Sequence, residues 1–95
     1  MPDVIELPRV GGPGTGSGGL WRVIVLNYDF NTFDHVAETL ARVVPGLSLA
    51  DGYRFADQIH NTGQAIVWSG GREDAQQYWQ QLDAAGLTMA PLETG

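Results

Sequence analysis

Apolar positions fall along this chain in blocks whose spacing changes from one element to the next. Residues 20–26 are apolar almost without a break, Arg22 excepted. That predicts a strand covered on both faces, and hence central in a sheet. Polar residues dominate 27–31. Then Phe33, Val36, Ala37, Leu40, Val43 and Val44 recur at offsets of three and four, which is one apolar helix face. Asn31 or Thr32 is placed to cap this helix, Asp34 to complement its dipole, and Pro45-Gly46 to end it. A second helix begins at Ser48, with Asp51 three residues on as its capping partner. Leu49, Tyr53, Ala56 and His60 share its stripe, flanked by Phe55 and Ile59, and Gly63 is positioned to close it in a left-handed conformation. Residues 64–68 read as a short apolar strand and Ser69-Gly70-Gly71 as a turn. Residues 72–85 predict a third helix with Ala75, Tyr78, Trp79 and Leu82 facing in. Gly86 stops it, and 87–90 form a last strand.

The order β-α-α-β-α-β predicts an α+β fold. Its expected form is a three-stranded, mainly antiparallel sheet packed against three helices. A chain of 95 residues holds one such domain, here residues 20–95. Residues 1–19 carry Pro2, Pro8, Pro13 and the run GGPGTGSGG. They cannot bury enough apolar area to offset the entropy of ordering, so a flexible N-terminal extension is expected. Gly14, Gly16 and Gly19 formally match a dinucleotide fingerprint. The match precedes a strand instead of linking a strand to a helix, so it reads as linker.

Composition narrows the function classes. Cysteine is absent, which removes a disulfide framework and thiolate metal sites and fits a reducing compartment. The five basic residues are Arg9, Arg22, Arg42, Arg54 and Arg72, spread without a patch in a chain of net charge −6. Nucleic acid and anionic membrane are therefore poor partners, whereas a cationic group suits the acidic surface. No run approaches the roughly 20 apolar residues needed to span a bilayer, and the first residues lack a secretory pattern. A cytoplasmic protein is expected, or a stromal one if the source is a plant.

His35 and His60 form no spaced ligand set, so no metal site and no cofactor are expected. Ser17, Ser48 and Ser69 each have a simpler place in the tail, a cap or a turn. A hydrolase built on Asp29 and His60 would therefore lack a nucleophile, and no enzyme activity is expected. Phe33, Phe55, Trp68 and Trp79 sit on apolar faces and read as core. Asn27, Asp29 and Asn31 alternate in one turn, where such side chains commonly bond their own backbone. A second polar cluster, Ile59-His60-Asn61, ends the second helix. The two turns are expected to frame one small recognition pocket.

The segments LWRVIVLNYDFNTFDHVAETL, QIHNTGQAIVW and GLTMAPLE, in that order and over residues 20–93, resemble the ClpS family of Clp protease adaptors. The resemblance implies an N-degron reader. Such a protein binds proteins whose free N-terminus is bulky and hydrophobic (Leu, Phe, Tyr or Trp) and delivers them to a Clp AAA+ unfoldase for degradation. It further implies that Asn27, Asp29 and His60 contact the α-amino group. The side-chain pocket would be lined by Leu26, Asn31, Phe33, Val36, Ala56 and Ile59, with Leu87 or Thr88 from the last strand. Glu73 would dock on the N-terminal domain of an unfoldase of the ClpA or ClpC type, and the Gly-rich tail would serve delivery. Tyr28 stands where the family usually has Asp, Phe33 and Ala56 where Met is common, and Tyr78 where a basic residue often sits. The alternative implied function is a peptide- or protein-binding module of the same fold with no protease partner.

The assigned residues suit the chemistry. An α-ammonium offers three donors and a positive charge. The Asn27 carbonyl, the Asp29 carboxylate and a neutral His60 nitrogen are acceptors that match it. A hydrogen bond to a charged group contributes roughly 1.5–3 kcal/mol, and burial of a Leu or Phe side chain about as much.

Overall fold

A computed structural model describes residues 19–28 and 30–94. The expected extension, residues 1–19, lies outside the described residues except for Gly19. The elements follow in the order β1 (Trp21–Leu26), α1 (Phe33–Val43), α2 (Leu49–Thr62), β2 (Gln64–Gly70), α3 (Arg72–Ala84), β3 (Thr88–Met89) and β4 (Glu93–Thr94). The domain is α+β, with three helices and an antiparallel sheet, as the patterning predicts.

β1 is the central strand, in keeping with its two-faced apolar run. It pairs along its full length with β2, from Trp21↔Gly70 to Leu26↔Gln64, with a bulge between Val23 and Ile24. Its other edge carries β3 opposite Val25 and Leu26, and β4 opposite Trp21 and Arg22. The sheet thus has a fourth strand that alternation along the chain did not predict. Ala90 still donates to the Ile24 carbonyl at 3.1 Å. Across Pro91 and Leu92 the register against β1 shifts by one residue, so the edge is interrupted there and pairing resumes at Glu93. Arg22 and Glu93 face each other across that resumed pairing, N–O 3.6 Å apart.

The helix ends obey local chemistry. Thr32 caps α1, its Oγ1 accepting the His35 N–H at 3.0 Å. Ser48 and Asp51 close a reciprocal capping box at the start of α2. Gly63 ends α2 at φ +95°, a conformation that other residues adopt only with strain. α3 ends in a pair of bonds, Gly86 N–H to Asp83 O and Leu87 N–H to Leu82 O, around Gly86 at φ +98°.

One core joins all three helices to the sheet. Val23 and Val25 of β1 and Ala65 and Val67 of β2 meet Val36 and Leu40 of α1, Phe55, Ala56 and Ile59 of α2, and Ala75 and Leu82 of α3. Trp68 and Trp79 lie half-buried at its margin, where Trp68 meets Tyr78 edge-on at 4.9 Å and Trp79 donates to the Ala90 carbonyl at 2.7 Å.

The inward face of α2 differs from the predicted stripe. Gly52, Phe55, Ala56 and Ile59 are buried, whereas Leu49, Tyr53 and His60 are exposed. The cause is Gly52. Its bare Cα lies against the backbone of Ala37 so closely that a Cβ there would collide with the Ala37 carbonyl. A glycine adds nothing to an apolar count, yet it sets which side of α2 approaches α1. No helix among the described residues is long and apolar enough to cross a membrane.

Candidate functional site

A cleft of about 170 Å³ opens between the end of β1 and the facing helices α1 and α2. Its floor is apolar: Leu26 from β1, Val36 from α1, Ala56 and Ile59 from α2. Its rim carries Asn27, Tyr28, Asn31, Thr32, Phe33 and His60. Size limits the occupant. Sites for whole drug-like ligands and cofactors span about 300–1,000 Å³, whereas a cavity of roughly 150 Å³ accommodates a benzene ring. This cleft therefore fits one amino-acid side chain.

Backbone and side-chain ties hold the rim in place. The Asn27 N–H donates to the Gly63 carbonyl at 3.0 Å, and the Gly63 N–H donates to the Ile59 carbonyl at 2.8 Å. The end of β1 is thus pinned to the last turn of α2, which brings Asn27 to the same cleft as His60. The His60 ring lies edge-on to Phe33, 5.4 Å between centroids and 63° between planes. The Asn31 amide donates to the Gly86 carbonyl at 3.3 Å, while the Asn31 N–H closes a turn on the Tyr28 carbonyl at 2.9 Å. Close by, His35 Nε2 lies 2.9 Å from the Ala85 carbonyl, so this nitrogen carries the proton and donates. Asn31 and His35 together fasten the rim to the α3–β3 turn.

Tyr53 joins α1 to α2 from the outside, its hydroxyl donating to Asp34 at 2.6 Å. That bond, with desolvation and the nearby Asp34 and Glu38 charges, raises the phenol above its ordinary pKa. A raised phenol pKa favours the folded state below the unfolded value and loses that contribution as pH climbs through the folded one. Neutral solution lies wholly on the favourable side.

Of the residues expected at the site, Leu26, Asn27, Asn31, Phe33, Val36, Ala56, Ile59 and His60 line this one cleft. Asp29 lies outside the described residues. Leu87 and Thr88 do not line the cleft: Leu87 is buried in the core, and Thr88 pairs with Leu26 in the ladder. Leu87 stands before β3, its N–H closing the end of α3 on the Leu82 carbonyl. Phe33, expected in the core, is instead 41% exposed at the rim. Tyr28 and Thr32 also line the cleft. Thr32 was visible in the sequence only as a helix cap, and Tyr28 only as the middle of a polar turn. Glu73 is exposed in the first turn of α3, beyond the opposite end of β1. Among the described residues no three His, Cys, Asp or Glu side chains are grouped as a metal ion would require.

The arrangement sets an apolar floor below a polar rim. Residues 17–94 match the family model described as ATP-dependent Clp protease adaptor protein ClpS. The ATP-dependent Clp protease adapter protein ClpS of Nostoc sp. is 56% identical over 73 residues, covering 77% of this chain and 75% of the relative. The protein of the same name from Thermosynechococcus vestitus is 52% identical over 73 residues, 77% of this chain and 78% of that one. The chloroplastic adapter protein CLPS1 of Arabidopsis thaliana is 33% identical over 67 residues, 70% of this chain but 42% of that longer protein. Among solved structures, Agrobacterium tumefaciens ClpS2 bound to L-phenylalaninamide superposes with a TM-score of 0.71 at 26% identity, covering 82% of this chain and 99% of that one.

Proposed function

The chain belongs to the ClpS family of ATP-dependent Clp protease adaptors, and from that premise we propose that its cleft reads protein N-termini. The ligand is a free α-amino group followed by a bulky hydrophobic first side chain: Leu, Phe, Tyr or Trp. The single observation that carries this reading is the one-side-chain cleft with an apolar floor and both Asn27 and His60 on its rim. A relative bound to L-phenylalaninamide supports it, because that ligand is an aromatic amino acid with a free amine and no carboxylate.

The roles follow from the chemistry. The side chain fills the floor of Leu26, Val36, Ala56 and Ile59, and its burial contributes about 1.5–3 kcal/mol. The ammonium meets acceptors on Asn27 and His60, with Asp29 assigned the same task from the sequence. Phe33 packs edge-on against the imidazole. Ala56 leaves more room on the α2 side of the floor than a longer side chain would. No bond is made or broken, in keeping with relatives named as adapters.

The adaptor role requires a second contact that leaves the cleft open. We assign it to Glu73, and its partner to the N-terminal domain of a ClpA- or ClpC-type unfoldase. The cleft sits at Leu26, whereas α3 begins just after Gly70, which pairs with Trp21 at the other end of β1. Six strand residues separate the ends by about 16 Å, so substrate and unfoldase can be held together. The work belongs to the cytoplasm, or to the stroma in a plant.

Two measurements test the reading. Peptides differing only in their first residue are titrated by fluorescence anisotropy: those starting with Leu, Phe, Tyr or Trp bind near the micromolar range, on the order of −8 kcal/mol, and those starting with Gly or Asp do not. Equal binding across the panel refutes the N-terminal reading. In a pull-down with the unfoldase, Glu73→Lys loses at least half of the retained unfoldase while peptide titrations stay as before. Undiminished retention removes Glu73 from the docking surface.

A further inference from the structure

Two aromatic side chains beside the cleft contribute nothing to the core. Tyr28 is 45% exposed and Phe30 is 82% exposed, and their rings meet edge-on with centroids 5.3 Å apart. Tyr28 lines the cleft, whereas Phe30 does not. A single exposed aromatic on a small domain needs no explanation. A pair is different when one ring borders a ligand cleft and the other extends that apolar surface outward. We propose that Tyr28 and Phe30 form a second subsite, one that receives the side chain of the peptide's second residue and favours a large aromatic or apolar one. This inference rests on the N-terminal reading above.

Reach and direction support it. Neighbouring Cα atoms of a peptide lie 3.8 Å apart, and successive side chains of an extended segment point to opposite sides. A second residue therefore cannot enter the cleft filled by the first, and it comes to lie along the rim. On the α2 side that rim is Asn27 and His60, the groups assigned to the ammonium, and Phe33 is already packed on His60. The Tyr28–Phe30 side offers the remaining apolar surface beside the rim among the described residues: Tyr28 lines the cleft, and the Phe30 ring lies 5.3 Å from that of Tyr28, centroid to centroid. Offset or edge-on ring contacts are favoured there. The chain's net charge of −6 adds a penalty for an acidic second residue.

The test is an anisotropy titration with peptides that begin Leu-Phe, Leu-Ala and Leu-Asp and are otherwise identical. Leu-Phe is expected to bind about threefold to tenfold more tightly than Leu-Ala, with Leu-Asp weakest. In Phe30→Ala the ratio of Leu-Phe to Leu-Ala falls to about one. Phe30 lies outside the core, and a thermal melt matching that of the parent protein confirms that the variant folds. A wild-type ratio of one, or a ratio that survives in Phe30→Ala, overturns the second subsite. An acetylated Leu-Phe peptide serves as a separate arm: binding equal to the free form would show that the N-terminal reading itself has failed, and the subsite with it.

Discussion

A Leu-initiated peptide loses at least about 100-fold in affinity for this protein when its α-amine is acetylated. The expectation comes from comparing two contributions. Burying the first side chain against Leu26, Val36, Ala56 and Ile59 contributes about 1.5–3 kcal/mol. Association and ordering oppose binding by an estimated 4 kcal/mol or more, so the apolar floor alone leaves no measurable complex. The ammonium supplies the difference, through charge-assisted hydrogen bonds of about 1.5–3 kcal/mol each. Acetylation removes the charge and two of the three donors, and it adds bulk where the amine is assigned to sit. Two lost bonds correspond to a factor of roughly 100 or more. Anisotropy titration of the paired peptides measures this directly, and superimposable curves would rule out amine recognition at this cleft.

The second large effect concerns the framework of the cleft. Gly52→Ala lowers stability by about 1–2 kcal/mol, even though alanine is the better helix former by roughly 1 kcal/mol. Helix propensity and packing here oppose each other. The new Cβ would collide with the carbonyl oxygen, carbonyl carbon and Cα of Ala37. These are backbone atoms, which cannot swing aside as a flexible side chain would. Relief comes only if α1 and α2 move apart, and overpacking of this kind costs about 1–3 kcal/mol or somewhat more. For a domain of this size, each 1 kcal/mol lowers Tm by about 4–8 °C. The same movement spreads the cleft walls, because Phe33 and Val36 ride on α1 while Ala56, Ile59 and His60 ride on α2. Binding of Leu-initiated peptides weakens in parallel. A Tm at or above that of the parent protein would mean that the helices are not held apart by contact at Gly52.

These two expectations also mark how far the sequence could be read. Features written in local chemistry were legible: the caps at Thr32 and Ser48, the left-handed Gly63, and the central place of a strand apolar on both faces. Eight residues expected at the pocket meet in one cleft, because the Asn27–Gly63 and Gly63–Ile59 bonds join two turns that lie more than 30 positions apart. Much of that list came from a family likeness, since an alternating Asn-x-Asp-x-Asn turn alone reads as ordinary turn chemistry. What could not be read depended on contacts without a pattern. The roll of α2 is set by a residue with no side chain. The edge ladder is divided by a one-residue register shift into two-residue strands too short to show alternation. Leu87 is drawn into the core because its N–H closes the end of α3 on Leu82 instead of extending β3. The support that Asn31 and His35 receive from Gly86 and Ala85 joins residues 50 and more apart, with no periodicity to announce it.

The floor of the cleft has a wider consequence. Val36, Ala56 and Ile59 belong to the hydrophobic core and to the ligand surface at once. The boundary between core and cleft is therefore one side chain thick, and a change to this floor is also a change in how the protein folds. Engineering a new preference by enlarging this floor removes packing from the interior, and narrowing it strains the interior. Selection for altered taste must then be coupled to selection for integrity, with compensating substitutions elsewhere in the core. Conversely, a well-matched guest completes the interior, so occupancy should be readable as resistance to unfolding, without any label on the guest.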